Sequence, residues 1–191
     1  VGGDRAKGAP PYLSYPMIFF NGEPSQSSEL SDAMLLGDGV FETLRSYGGR
    51  LFALDSHLER LELGLADLGG APSFSYQREK IIKGIERMME FDEFPNGALR
   101  ISCYSDGNWV LSHKEYLPPS KGLSCTIVKG DHERLDYKSS SYSMRLRARR
   151  EAEKLGFDDA IFAQESGEVS ELSTSNLIAL IDGRWITPRR E

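Results

Sequence analysis

The chain has 191 residues, of which 39% are hydrophobic and 27% charged, and its formal net charge is −6. This composition is typical of a globular protein, and the length suits one ordinary domain or two small ones. The acidic balance disfavours nonspecific binding to nucleic acid, and no apolar run approaches the length needed to span a bilayer.

The N-terminal residues and the two cysteines indicate the cellular location of the protein. Residues 1–16 precede the first strand-like run and show no apolar signal-peptide core, so we expect a disordered leader or tag. Cys103 and Cys125 lie far apart in apolar runs, without metal-ligand spacing. We therefore expect two buried free thiols, no metal site, and a reducing, cytoplasmic location.

The first predicted elements are strands joined by tight turns. A strand over 17–20 ends at Asn21-Gly22, and a short turn or helix follows over 31–36. Residues 40–47 are rich in β-formers and alternate two sets of side chains, namely Val40, Glu42 and Leu44 against Phe41, Thr43 and Arg45. Gly48-Gly49 predicts a hairpin turn into a return strand over 50–54.

Two amphipathic helices follow. Ser56 and Glu59 fit a capping box, so the first helix is predicted to begin at Ser56 and to end before Gly69-Gly70. Leucines recur on its inward face at helical spacing, at Leu58, Leu61, Leu65 and Leu68. A second helix is predicted over 77–90, followed by a strand over 98–104. The predicted inward residues of the second helix are Ile81, Ile82, Ile85, Met88 and Met89.

A stretch with two prolines and a glycine, residues 116–122, then separates two structured regions. We expect a small N-terminal α/β domain over 17–117, a linker at 118–122, and a second domain from residue 123. In the second region, the sequence predicts a strand over 123–128 and a helix over 142–155 that is capped by Gly156. The later predicted strands are 159–163, 176–181 and 185–188, with turns predicted at Glu165-Ser166-Gly167 and at Asp182-Gly183.

One lysine and one later acid could serve an aromatic aldehyde cofactor. Lys138 precedes a predicted helix, and its amine could form an imine with the aldehyde. Glu171 follows a strand and a turn, and its carboxylate could keep a pyridine nitrogen protonated. By spacing alone, a solvated lysine and a turn-exposed glutamate are the commoner interpretations.

Other candidates have equally open alternatives. Arg60 could bind a phosphate or lie on a helix surface. Arg100 sits within an apolar strand and could pair with a substrate carboxylate or with a neighbouring glutamate. Ser173 and Thr174 could donate hydrogen bonds to an anion or cofactor ring, or could simply form a loop. The three histidines form no cluster that would favour a serine hydrolase.

Taken in order, these residues form a recognisable set. The chain resembles the class IV pyridoxal-phosphate aminotransferases, which have the fold type IV architecture and include branched-chain and D-amino-acid aminotransferases and aminodeoxychorismate lyases. The likeness runs from Met17 to Pro188. Its motifs are Gly37-Asp38-Gly39-Val40-Phe41-Glu42-Thr43-Leu44-Arg45, His57-Leu58-Glu59-Arg60-Leu61, Lys138 with Tyr142, Arg150-Glu151-Ala152, and Glu171 with Thr174 and Asn176.

The resemblance implies roles for individual residues. Lys138 would carry pyridoxal 5′-phosphate as an internal aldimine and move the substrate proton. Arg60 would bind the phosphate, and Glu171 would face the pyridine nitrogen. The remaining implied contacts are Tyr142 near the phenolic oxygen, Ser173 and Thr174 along the ring and phosphate, and Phe41 and Arg100 towards the substrate.

The resemblance also implies fold and function. We expect a mixed α+β fold in two domains, with 123–191 forming the first part of a larger cofactor-binding domain, because the family continues past a pair like Thr187-Pro188. The implied reaction moves an amino group between an amino acid and a 2-oxo acid. Aminodeoxychorismate lyase, which eliminates pyruvate, is one alternative, and a non-catalytic binding relative is another. A homodimer without nucleic-acid or membrane partners is expected.

Overall fold

The computed structural model of the chain describes residues 17–25, 32–69, 74–91, 95–130, 138–139 and 143–188. Helices and strands are mixed along these residues, which confirms the predicted α+β class. One group of elements builds a six-stranded sheet with helices on one face. A second group, later in the chain, builds a three-stranded sheet and a separate hairpin.

The first group is an antiparallel sheet with the strand order β2-β1-β6-β5-β3-β4. In chain order its elements are β1 (Met17–Phe20), β2 (Glu23–Ser25), α1 (Asp32–Leu36), β3 (Gly39–Tyr47), β4 (Arg50–Leu51), α2 (Leu54–Asp67), α3 (Phe74–Phe91), β5 (Gly97–Tyr104) and β6 (Trp109–Glu115). The strands β2 and β6 were not predicted, and the predicted return strand over 50–54 is only two residues long. Strand β6 carries Ser112, His113 and Lys114, which weaken its apolar pattern.

The core lies between this sheet and the helices α2 and α3. Alternate residues of β3, β5 and β6 point to the helices because successive side chains of a strand face opposite sides of the sheet. The fully or nearly buried apolar side chains include Phe19, Val40, Leu44, Leu58, Leu61, Leu65, Ile81, Ile85, Met88, Leu99, Ile101, Cys103, Trp109 and Leu111. The predicted inward faces of both helices are therefore confirmed, with Leu68, Ile82 and Met89 partly buried at their margin.

The predicted capping box at the start of α2 is wrong. The helix begins two residues earlier, at Leu54, and its N-cap is Ala53, in the left-handed conformation with φ 52°. No side-chain hydrogen bond caps this end, and Asp55 lies in the first turn, where a negative charge favours the helix dipole. Ser56 is thus already inside the helix.

The second group comprises β7 (Cys125–Lys129), α4 (Ser143–Lys154), β8 (Asp159–Ala163), β9 (Val169–Leu172), β10 (Ala179–Ile181) and β11 (Arg184–Ile186). Strand β7 runs parallel to β8, with α4 between them along the chain and in contact with both, and β8 pairs antiparallel with β9. The predicted strand over 176–181 starts later, at Ala179, because Asn176 instead forms an isolated bridge with Glu171.

Three predicted turns are confirmed as two-residue hairpin loops. Asn21-Gly22 joins β1 to β2, Gly48-Gly49 joins β3 to β4, and Asp182-Gly183 joins β10 to β11. All six residues have positive φ, between 50° and 91°. Loops of this kind match the twist of the strands and therefore favour glycine with asparagine or aspartate.

Residues 116–124 form neither helix nor strand and are mostly exposed, as expected for a connection, although the domain boundaries stay predictions. Cys103 is a buried free thiol, as predicted. Cys125 is also free but only half-buried, which corrects its prediction, because β7 leaves much of its surface uncovered. Among the described helices, none combines the length and the apolar character needed to cross a membrane.

Gly84 allows α3 to pack closely on the sheet, which makes it a test of the core. A Cβ atom at this position would lie 2.8 Å from Cη2 of Trp109 and 3.3 Å from Cδ1 of Leu111. We expect Gly84→Val to lower the free energy of unfolding by about 1–3 kcal/mol through overpacking. Lys83→Val, at the neighbouring exposed position, should change it by less than about 1 kcal/mol. Urea denaturation of both variants checks this, and equal losses would contradict it.

Candidate active site

A short segment before α4, residues 138–139, lies against the edge of β3 that faces away from β5, beside the part of that edge that pairs with β4. The N–H of Phe41 donates to the carbonyl oxygen of Lys138 at 2.8 Å, and Ser139 forms an antiparallel bridge with Val40. Residues 39–46 of β3 pair with β5 on its other edge, so this segment occupies the side that β5 leaves open. The lysine predicted to be catalytic is thereby fixed beside the strand that carries the motif residues.

Beside it, a buried acid holds two side chains of α2. Glu42 is 1% exposed and lies on the helix-covered face of β3. Its Oε1 accepts from Nε of Arg60 at 2.5 Å and its Oε2 from Nη2 of Arg60 at 2.6 Å. Nδ1 of His57 is 2.8 Å from Oε2. Residues three apart on a helix share a face, which is why His57 and Arg60 reach the same carboxylate.

The two partners keep this carboxylate ionised. Burial acts to raise the pKa of Glu42, but hydrogen bonds from His57 and Arg60 and the charges of Arg60 and Lys138 outweigh it, so the pKa is lowered. Hydrogen bonding to Glu42 raises the pKa of Arg60, against the effect of burial, and the charge of Glu171 acts in the same direction. Glu171 is therefore close enough to influence α2 across the site.

The environment of Lys138 suits an amine that must react as a free base. Burial is the largest influence and lowers the pKa of Lys138. Glu42 and Glu171 act to raise that pKa, and Arg60 and Arg145 act to lower it. The net pKa is below the ordinary lysine value, so a larger share of the amine is neutral and nucleophilic.

The acid across from Lys138 has an arginine partner of its own. Oε1 of Glu171, in β9, accepts from Nη2 of Arg145, in α4, at 2.6 Å. After Glu171 the chain turns tightly, since the N–H of Leu172 donates to the carbonyl oxygen of Ser175 at 2.8 Å. Within that turn Ser173 is fully buried, whereas Thr174 is exposed.

On the other face of β3, an arginine lies over an aromatic ring. The guanidinium carbon of Arg100 is 3.6 Å from the ring centroid of Phe41, and its Nε donates to the hydroxyl of Ser102 at 3.2 Å. Arg100 is exposed, which corrects the expectation that its strand buries it: its neighbours Leu99 and Ile101 face the core, and it faces away.

The structure thus brings together most of the predicted site. Arg60 and Glu171 lie near enough to Lys138 for their charges to influence its pKa, and Glu171 likewise influences Arg60. Phe41 is hydrogen-bonded to the backbone of Lys138. Tyr142 lies outside the described residues.

Sequence reasoning gave no role to Glu42, His57 or Arg145. A charged residue on the apolar side of an alternating strand was a usable signal for Glu42, and the three-residue spacing from His57 to Arg60 was another. Nothing local marks Arg145, because its partner lies 26 residues away.

Comparison with known proteins identifies the family. The family model for amino-transferase class IV matches residues 39–191. A probable branched-chain-amino-acid aminotransferase of Rickettsia bellii is 26% identical over 179 residues, covering 83% of this chain and 61% of that protein. An aminodeoxychorismate lyase of Bacillus subtilis is 28% identical over 187 residues, covering 84% and 63%. The chain therefore spans about three fifths of the length of these curated relatives.

Solved structures agree on the fold. A fold IV transaminase from Curtobacterium pusillum superposes with a TM-score of 0.72 at 26% identity, over 87% of this chain and 65% of that one. A hypothetical aminotransferase from Mycobacterium tuberculosis in its PLP-bound form superposes with a TM-score of 0.75 at 22% identity, over 91% and 71%. The family match begins at the first residue of β3 and includes all the site residues above, so the chain belongs to the class IV aminotransferases, with the fold type IV architecture.

Proposed function

We propose that the protein binds pyridoxal 5′-phosphate and transfers an amino group between an amino acid and a 2-oxo acid. The observation that carries this proposal is the setting of Lys138. Its amine is largely withdrawn from solvent and lies within electrostatic reach of two carboxylates and two guanidinium groups. Membership in the class IV family and the similarity to a PLP-bound fold neighbour support this choice of cofactor.

The residues present fit that cofactor. Arg60 uses Nε and one Nη2 hydrogen for Glu42, so the remaining N–H groups of its guanidinium can bind a phosphate. Glu171 engages Arg145 through Oε1, which leaves Oε2 to accept from a protonated ring nitrogen. Ser173 offers a buried hydroxyl and Thr174 an exposed one on the same turn, and we assign Tyr142 to the phenolic oxygen on the resemblance alone.

Pyridoxal phosphate would supply an aldehyde that condenses with amines and a ring that accepts electrons from the substrate Cα. The chain's own part is proton transfer and charge placement. Nζ of Lys138 would hold the cofactor, and its free amine would serve as the base that takes the proton from the substrate Cα and as the acid that gives it back. Glu171 would keep a pyridine nitrogen protonated, which would stabilise the negative charge that develops on the substrate.

Substrate binding is assigned to the opposite face of β3. Arg100 presents a guanidinium over the ring of Phe41, next to the strand edge that holds Lys138. A guanidinium with N–H groups directed away from the ring can bind a carboxylate in a forked geometry. We assign Phe41 and Arg100 to the substrate on this basis, with an amino acid or 2-oxo acid as the ligand.

Aminodeoxychorismate lyase is the second candidate, and the similarity to the Bacillus subtilis lyase favours it. The two reactions share a cofactor and differ in their products. Incubating the full-length protein with aminodeoxychorismate and measuring pyruvate tests the lyase. Measuring glutamate formed from 2-oxoglutarate and a panel of L- and D-amino acids tests the transferase. The larger kcat/KM identifies the reaction.

A non-catalytic relative that uses the fold for binding is the remaining alternative. Failure of the protein to bind pyridoxal phosphate, seen as an unchanged absorbance spectrum, would favour it. Homodimerisation and a cytoplasmic location also stay predictions. Sedimentation velocity of the full-length protein measures the first.

Lys138→Ala should abolish covalent attachment of the cofactor, because it removes the amine that condenses with the aldehyde. Wild-type protein incubated with pyridoxal phosphate and reduced with borohydride should carry one added group on the peptide that contains residue 138. Lys121→Ala, which removes an exposed lysine in the 116–122 stretch, should label like the wild type. Intact-mass and peptide mass spectrometry measure both. Equal labelling of Lys138→Ala at another site would contradict the proposal.

Variants of the Glu42–Arg60 pair should differ in stability while all of them bind the cofactor more weakly than the wild type. Arg60→Ala leaves a buried carboxylate with only His57, and should lower the free energy of unfolding by about 3 kcal/mol at pH 7. Adding Glu42→Gln should recover part of that loss, since the unpaired charge is gone. Neither variant should bind pyridoxal phosphate as tightly as the wild type. Denaturant titration and cofactor titration measure the two effects.

The pH dependence supplies the control for this pair. Because the pKa of Glu42 is lowered by folding, its contribution to stability is present above the ordinary carboxyl pKa of 4.5 and is lost as the pH falls below it. Wild-type stability should therefore decline more steeply with acid than that of Glu42→Gln. Parallel declines in the two proteins would show that Glu42 does not hold its charge through Arg60 and His57.

A further inference from the structure

Arg145 contacts two parts of the candidate site that lie far from it in the chain. Its Nη2 donates to Oε1 of Glu171 at 2.6 Å, and its guanidinium carbon is 5.6 Å from the ring centroid of Phe162. The arginine belongs to the first turn of α4, the glutamate to β9 and the phenylalanine to β8. One side chain therefore ties the helix that follows Lys138 to the two strands across from it.

The ion pair is partly protected from solvent. The side chain of Arg145 is 27% exposed and that of Glu171 is 33% exposed. By contrast, the two other ion pairs of α4 are more exposed on both sides, at 44% and 50% for Arg149 with Glu153. Surface pairs of that kind contribute little, whereas a short charge-assisted bond in a half-buried setting restrains both partners.

Each acid near Lys138 is bonded to its own arginine. The charged groups that influence the lysine come from four elements: Glu42 from β3, Arg60 from α2, Glu171 from β9 and Arg145 from α4. Glu42 binds Arg60, and Glu171 binds Arg145. Loss of Arg145 would remove one positive charge from the surroundings of Lys138. It would also release the Glu171 carboxylate, and both changes favour a protonated amine.

We propose that Arg145 is a positioning residue: it holds the Glu171 carboxylate in place through one oxygen and keeps that carboxylate from pairing with the amine of Lys138. The oxygen that remains, Oε2, is then directed to the pyridine nitrogen. This role rests on the proposed function for its ring contact. Its effect on the lysine does not require a bound cofactor, so the two can be tested separately.

The first experiment measures the amine without any cofactor. The full-length protein is acylated with limiting acetic anhydride at a series of pH values, and the extent of reaction at residue 138 is measured by mass spectrometry, with exposed Lys121 as the internal reference. Arg145→Gln, which keeps much of the side-chain stem against Phe162, should move the midpoint for Lys138 to higher pH. Glu171→Gln should move it to lower pH, and the double variant should fall between the two.

Matched controls separate charge from position. Arg147→Gln removes an exposed arginine two residues along the same helix and should leave the Lys138 midpoint unchanged. Arg145→Lys keeps the positive charge but loses the planar donor geometry that holds Glu171, so its midpoint should rise, but by less than that of Arg145→Gln. Circular dichroism checks that every variant is folded. A Lys138 profile for folded Arg145→Gln that superimposes on the wild-type profile overturns the proposal.

The second experiment measures the cofactor. Absorbance titration should show Kd for pyridoxal phosphate rising about tenfold in Arg145→Gln and in Arg145→Lys, since both lose the fixed carboxylate, but not in Arg147→Gln. If wild-type protein binds no cofactor while the Lys138 midpoint still shifts, the proposed function fails and the positioning role stands. If the cofactor binds equally to all variants, the assignment of Oε2 to the ring nitrogen is overturned.

Discussion

A carboxylate buried under a helix is the constraint on which the site depends. Glu42 lies on the apolar face of β3 and is 1% exposed, where an unpaired charge would be costly. Its position is tolerable because Arg60 and His57 come from the same face of α2 and satisfy both oxygens. The same contacts fix the orientation of Arg60, so the stability of the sheet–helix interface is coupled to the placement of the guanidinium that we propose binds the phosphate.

A second acid–arginine pair near Lys138 repeats this arrangement with different elements. Glu171 and Arg145 form an acid–arginine pair between β9 and α4, and Lys138 lies within electrostatic reach of both pairs. Two acids and two arginines around one amine nearly balance in charge, so burial decides the outcome and lowers the pKa of Lys138. A larger share of such an amine is neutral than of an exposed lysine, although no strong local positive field acts on it. That property is needed equally by aminotransferases and by lyases that use the same cofactor.

The face of β3 that turns away from α2 carries different chemistry. Phe41 and Arg100 stack there, and Phe41 also binds the backbone of Lys138. Because its side chains alternate, β3 directs Glu42 towards α2, where Arg60 and His57 bind it, and Phe41 to the opposite face, where Arg100 covers its ring. A shift of one residue in this strand would exchange the side chains of the two faces.

Periodicity and turn chemistry predicted much of the fold. The leucines of α2 and the isoleucines of α3 gave the correct inward faces, and Asn21-Gly22 and Asp182-Gly183 gave the correct hairpin loops. The start of α2 was predicted wrongly because Ser56 and Glu59 resemble a capping box, whereas the helix begins at Leu54 without a side-chain cap that the sequence could reveal. Strand β6 was missed because its polar outward residues and buried His113 obscure its pattern.

For the site, the order of motifs along the chain was enough to select Lys138, Arg60 and Glu171 as candidates and to suggest the family. The sequence by itself therefore determined the fold class, the local elements and the identity of the chemical groups, because these depend on residue type and short spacing. Only the tertiary structure decided which groups pair. The bonds from Arg60 to Glu42 and from Arg145 to Glu171 join residues 18 and 26 positions apart, and such contacts form only when separate elements pack together.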